Sequence, residues 1–134
     1  MRQMREIKFR GMSLNGWVYG HYVTLVDKLG DTVDCIWELG ASSGTPVEYE
    51  TIGQFTGLKD DIGTKIYEGD ILRIESDFSL RKDIVVQKVS YNNEGYYSTG
   101  EFALFELSDS RKRGEQSFEV IGNIYEPYWR NKHL

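Results

Sequence analysis

Apolar and polar residues alternate along most of this chain with a period of two, the spacing that sends successive side chains to opposite faces of a β-strand. In "EIKFR", Ile7 and Phe9 alternate with Lys8 and Arg10 and predict a first strand that ends at Gly11. In "GWVYGHYVTLV", Trp17 and Tyr19 share one side. In "TVDCIWEL", Val33, Cys35, Trp37 and Leu39 share a face opposite Asp34 and Glu38. The intervening "DKLGD" is rich in turn formers, so the two segments predict a hairpin whose large aromatics cover a core.

Past this hairpin, "GASSGTP" (Gly40 to Pro46) is the most linker-like composition in the chain, because Gly, Ser and Pro neither pack well nor propagate strands. Beyond it, strand-like pieces recur at short intervals: "VEYETI", "TKIY", "DILRIE", "IVVQKVSY", "YYST", "FALFEL" and "FEVIGNIY". Many short strands with even turn spacing predict a small barrel or sandwich rather than an open sheet. Their apolar members Leu72, Ile74, Val86, Phe105, Val120 and Ile124 are the expected core. "EFALFELSDSRKR" is the one helical rival. Phe102 and Leu104 alternate with Ala103 and Phe105 there, as in a strand buried on both faces, and strand is the reading adopted.

The stretch "KDDIGTKIYEGD" (Lys59 to Asp70) concentrates four carboxylates and invites a metal or acid–base reading. Its spacing lacks the D-x-D-x-D-G pattern and late glutamate of a calcium loop. Turn chemistry accounts for it instead. Asp60 and Gly63 occupy the first and fourth positions of a type I turn, where those residue types are favoured, and Gly69 and Asp70 break the chain before the next strand. Asp60, Gly63, Gly69 and Asp70 are therefore assigned structural roles, with Gly63 expected in the left-handed conformation.

Chemistry elsewhere is sparse. The single cysteine, Cys35, cannot form an intramolecular disulfide, and one Cys with the distant His21 and His133 gives no zinc-ligand spacing. No nucleophile elbow, phosphate-binding loop, dinucleotide fingerprint or zincin motif is present. The expectation is a non-enzymatic protein without metal or cofactor. The basic start has no apolar stretch behind it and no segment is long enough to span a membrane, so a cytoplasmic setting without membrane contact is expected. The net charge of −5 hides a division: residues 1–10 hold four basic side chains against Glu6, residues 128–134 hold two with no acid, and residues 11–127 therefore carry −10. An acidic body disfavours general nucleic-acid binding. "RKRG" is the one internal basic cluster, so a nucleic-acid-binding barrel using the ends with Arg111, Lys112 and Arg113 is the alternative.

Four blocks, "REIKFRG", "WVYGHY", "TIGQFTGLKDDIGTKIYEGDIL" and "EVIGNIYE", stand in an order and spacing that resemble the YopX family of phage and prophage proteins over nearly the whole chain. The resemblance implies a mainly β protein with a C-terminal SH3-type small barrel, in the cytoplasm of a bacterial host. It brings no established activity and no catalytic residues. The expected organisation is an N-terminal β arm and hairpin region over 1–46, an SH3-like barrel over 47–127 and a tail over 128–134. The expected function is an accessory protein-interaction module that binds itself, and a host or phage protein besides. Ile7, Phe9, Tyr128 and Trp129 are the interface candidates, because apolar and aromatic residues in basic ends can dock on an acidic body.

Overall fold

The computed structural model describes residues 8–78, 81–99 and 102–130, with the side chains of 77, 78, 81–83, 110 and 111 outside that description. The protein is mainly β and its strands pair antiparallel. They form open ladders without closing into a barrel among the described residues. The chain divides into two compact units after Phe55. No described helix is long and apolar enough to cross a membrane.

The first unit is built on one long strand. β1 (Phe9–Ser13) pairs with the first half of β2 (Gly16–Val26), and β3 (Thr32–Trp37) pairs with its second half. The changeover falls at Gly20, where a Cβ would collide with the Trp37 carbonyl, so only glycine lets both partners meet β2 there. The Gly40–Pro46 segment returns along β3 and ends in the two-residue β4 (Thr45–Pro46), which pairs with Cys35 and Ile36. "VEYETI", expected as a strand, holds instead a 3₁₀ turn over Tyr49–Thr51. Thr51 fixes that turn: its Oγ1 accepts from the Met12 backbone N–H at 2.8 Å and donates to the Glu48 carbonyl at 2.7 Å. β5 (Gly53–Lys59) has no counterpart in the expected strands, since two glycines in "GQFTGLK" weaken the alternation. Its first two residues pair with Arg10 and Phe9, and the division between units falls within it.

The second unit centres on β7 (Asp70–Phe78), flanked by β8 (Arg81–Lys88) and β11 (Gln116–Asn123). β6 (Lys65–Tyr67) follows the 60–64 loop. β9 (Ser90–Tyr91) and β10 (Tyr97–Ser98) form a small hairpin, α1 spans Leu104–Lys112, and α2 spans Pro127–Arg130. Leu72 and Ile74 alternate inward from β7 and are fully buried with Ile66, Val89, Leu104, Leu107 and Phe118. Val120 packs partly buried against this cluster, and Val86 and Ile124 are also only partly buried.

The "FALFEL" strand is a correction: Leu104 begins a helix. "LFELSDSRK" contains no β-branched residue and is rich in good helix formers, and its last turn is followed by Gly114 at φ +74°. Helical spacing sends Leu104 and Leu107 to the core and turns Phe105 out to 54% exposure, so Phe105 is not a core residue.

The carboxylates of the 59–70 stretch tie backbone segments together. Asp60 is 2% exposed. Its Oδ1 accepts from the N–H groups of Ile62 (3.1 Å) and Thr64 (2.8 Å), and its Oδ2 accepts from Val120 on β11 (2.9 Å). Asp61 accepts from the Phe118 N–H at 3.0 Å and donates its own N–H to the Phe118 carbonyl at 3.2 Å. Gly63 sits at φ +88° and Gly69 at φ +92°. Asp70 Oδ2 accepts from the Tyr67 N–H at 2.8 Å, while Gly69 donates to the Val89 carbonyl and accepts from the Ile124 N–H, each at 2.9 Å. Two turns thus bind the ends of β8 and β11 around β7.

Leu72→Ala should lower unfolding free energy by about 2–5 kcal/mol in chemical denaturation, through lost burial plus a cavity; an unmoved transition would refute its place in the core. Asp60→Asn must turn an amide N–H₂ toward a backbone donor on one side, leaving a buried N–H unsatisfied. It should cost about 1–3 kcal/mol. Asp61→Asn keeps an acceptor oxygen for Phe118 and should cost well under half of that in the same assay.

Burial pushes the Glu68 carboxyl above its ordinary 4.5. The folded state therefore holds the proton more tightly than the unfolded chain. This contribution to stability is complete below 4.5 and is lost as pH rises through the raised folded value. Glu68→Gln should raise the melting temperature at neutral pH, and the gain should disappear near about pH 4. Melting curves of the two proteins at both pH values check the sign.

Candidate functional site

Two surfaces of the first unit follow from its strand register. Arg10 lies opposite Tyr19, Met12 opposite Trp17 and His21 opposite Trp37, which places all six on one face of the sheet. Arg10 is buried and its guanidinium lies 4.6 Å from the Trp17 ring centre, while the Lys8 ammonium lies 5.9 Å from that of Tyr19. Both are cation–π placements. Trp37 donates from Nε1 to the Ala41 carbonyl at 2.9 Å, which holds the 40–46 segment close enough that a Cβ on Gly44 would lie 2.9 Å from Cys35 Cβ. Burial, with the nearby Asp34 carboxylate behind it, pushes the Cys35 thiol up. On the opposite face the Phe9 ring meets Tyr22 edge-on at 5.9 Å. The Tyr22 hydroxyl donates to Asp34 Oδ1 at 2.6 Å, and this bond raises the phenol above its ordinary value.

The second surface is the far end of the β2–β3 hairpin. Asp27 Oδ1 accepts from the N–H groups of Leu29 and Asp31, both at 2.9 Å, and this fixes the turn. Around it Leu25 is 43%, Val26 69% and Leu29 87% exposed. Leu25 pairs with Val33 and Val26 with Thr32, so both faces of the ribbon and its tip present apolar atoms to solvent. The sequence reading did not single these residues out. The available signal was the persistence of apolar side chains through "TLVDKLG" into a turn, where polar residues are usual.

Ile7 lies outside the described residues. Phe9 is partly buried in β1, paired with Gly20 and Gln54. Tyr128 and Trp129 stand together on α2 with ring centres 4.6 Å apart; Tyr128 is 65% exposed, whereas Trp129 covers Gly122, whose Cβ would collide with the indole. Lys112 and Arg113 are exposed at the end of α1, and Arg113 is paired with Glu115 through Nε–Oε1 at 3.1 Å and Nη2–Oε2 at 3.3 Å. The Arg111 side chain is outside the description. Asp60, Gly63, Gly69 and Asp70 are engaged with the main chain as described above. Among the described residues no group of three or more His, Cys, Asp or Glu side chains is placed to hold a metal ion.

A crystal structure of protein EF1440 from Enterococcus faecalis is similar to this chain at 20% identity and a TM-score of 0.54, over 96% of this chain and 100% of that one. At this identity the likeness concerns the fold. No curated protein matches. The family model described as YopX protein matches residues 8–127, nearly the full described length, and the chain belongs to the YopX family.

Proposed function

We propose that this chain is a non-enzymatic accessory module of phage or prophage origin that acts in the cytoplasm of a bacterial host by binding protein, first of all a second copy of itself. The observation that carries the reading is the hairpin end, where Leu25, Val26 and Leu29 crowd an exposed ribbon tip. Apolar side chains exposed together at a hairpin tip support an interaction role, because leaving them in water is unfavourable and a partner relieves that. The turn bonds of Asp27 hold the tip in shape, so little ordering is needed on docking. An SH3-type arrangement of the second unit belongs to the same reading. It draws support from the antiparallel β8-β7-β11 ladder and from the 60–64 loop bonded along β11. The nucleic-acid alternative draws less support, since Glu115 neutralises Arg113 and Glu106 and Asp109 precede it on α1.

Light scattering after gel filtration at tens of micromolar protein should give a mass above 15.5 kDa. Val26→Lys combined with Leu29→Asp should reduce that mass without moving the melting temperature, because both side chains are exposed. A monomeric wild type removes the self-association reading. An oligomer that the double substitution leaves intact shows that the hairpin end is not its cause.

A further inference from the structure

A second exposed aromatic surface lies in the other unit, where the β9–β10 hairpin meets α1. Phe105, turned outward by the helix, is 54% exposed, and its ring stands edge-on to Tyr96 with centres 5.9 Å apart. The hairpin is held rigid: Asn92 Oδ1 accepts from the N–H groups of Glu94 (2.9 Å) and Tyr96 (3.2 Å). Carboxylates surround the two rings. The Tyr96 hydroxyl donates to Glu94 Oε2 at 3.0 Å, Glu106 lies close enough on α1 to act on the same phenol through space, and Asp109 follows one turn later. Aromatic faces rimmed by carboxylates attract a cation twice, through the ring quadrupole and through charge.

The chain contains a segment of the matching chemistry. Residues 1–7, outside the described structure, read "MRQMREI", with Arg2 and Arg5 three positions apart among Met1, Met4 and Ile7. Lys8 and Arg10, the next two cations, already sit over the rings of Tyr19 and Trp17, so cations just beyond this segment pack on aromatic rings. Seven extended residues reach at most about 25 Å, enough to cross to a neighbouring molecule. We propose that the Tyr96–Phe105 patch is the docking site for Arg2 and Arg5 of a second copy, with the arm's apolar residues lying against Phe105. This inference rests on the self-association reading and names a contact for it distinct from the hairpin end. An arm that docks on a different surface of the next copy closes as a two-fold dimer where the exchange is reciprocal, and as a ring or an open chain where it is not.

The test is a charge exchange in the full chain, read by light scattering over a dilution series. Glu94→Lys with Glu106→Lys should raise the concentration needed for assembly by at least about tenfold, and Arg2→Glu with Arg5→Glu should do the same. The four substitutions together should recover assembly to within about threefold of wild type, because the charges are again opposite. Phe105→Ala should weaken assembly while leaving the melting temperature unchanged. Assembly untouched by the carboxylate substitutions, or not recovered in the combined variant, overturns this docking and leaves self-association standing. A monomeric wild type overturns both. If that monomer binds an arginine-bearing peptide in a Phe105-dependent way, the patch receives the basic segment of a different protein, and the second-copy occupant is wrong.

Discussion

The second unit depends on one buried carboxylate. Asp60 is removed from water, and an ionised carboxylate in that position is tolerable only if its oxygens are satisfied. Three backbone N–H groups supply the bonds, two from its own loop and one from Val120, sixty residues later in the chain. The local bonds shape the turn and the distant one fixes that turn on β11. Asp61 repeats the link one pair further along, with Phe118 both donating and accepting. Because Phe118 is itself a core residue opposite Ile74, the register of β11 on β7 and the position of the 60–64 loop are set together.

This arrangement also decides what the carboxylates are available for. An oxygen that already accepts two N–H bonds within a loop has little capacity left for a cation, and Asp60 and Asp70 are both buried among backbone donors. The carboxylates of the 59–70 stretch are largely consumed in joining strands. Other groups face water, among them the apolar hairpin end of the first unit and the Tyr96–Phe105 pair with its carboxylates in the second.

Much of the architecture was legible in the sequence because it rests on period-two patterning and turn chemistry, both local. β2 over Gly16–Val26 and β7 from Asp70 follow the alternation directly, and the Asp60-to-Gly63 spacing reads as a turn from its residue types. Failures came where a signal was two-valued or long-range. "FALFEL" fits a strand and a helix equally by pattern; the absence of β-branched residues and the presence of Gly114 were the discriminating cues, and they moved Phe105 from core to surface. β5 was hidden by its glycines, and "VEYETI" failed because Thr51 bonds sideways to Met12 and Glu48, a preference that no alternation encodes. The bond from Asp60 to Val120 could not be read at all, since one partner is a main-chain N–H and leaves no trace in residue identity.

That last point bears on how such a fold tolerates change. A salt bridge or a packed aromatic pair constrains two residue identities at once, whereas a carboxylate bonded to backbone constrains one. Ile62, Thr64, Phe118 and Val120 contribute N–H groups that any residue except proline would supply. The core around β7 asks for apolar volume in the right places, which many sequences provide. A scaffold held in these two ways can keep its shape while most of its side chains differ, and a protein with 20% identity that matches over 96% of this chain is consistent with that freedom. The exposed hairpin end and the outward ring of Phe105 contribute little to that scaffold, so their residues are free to vary without cost to the fold.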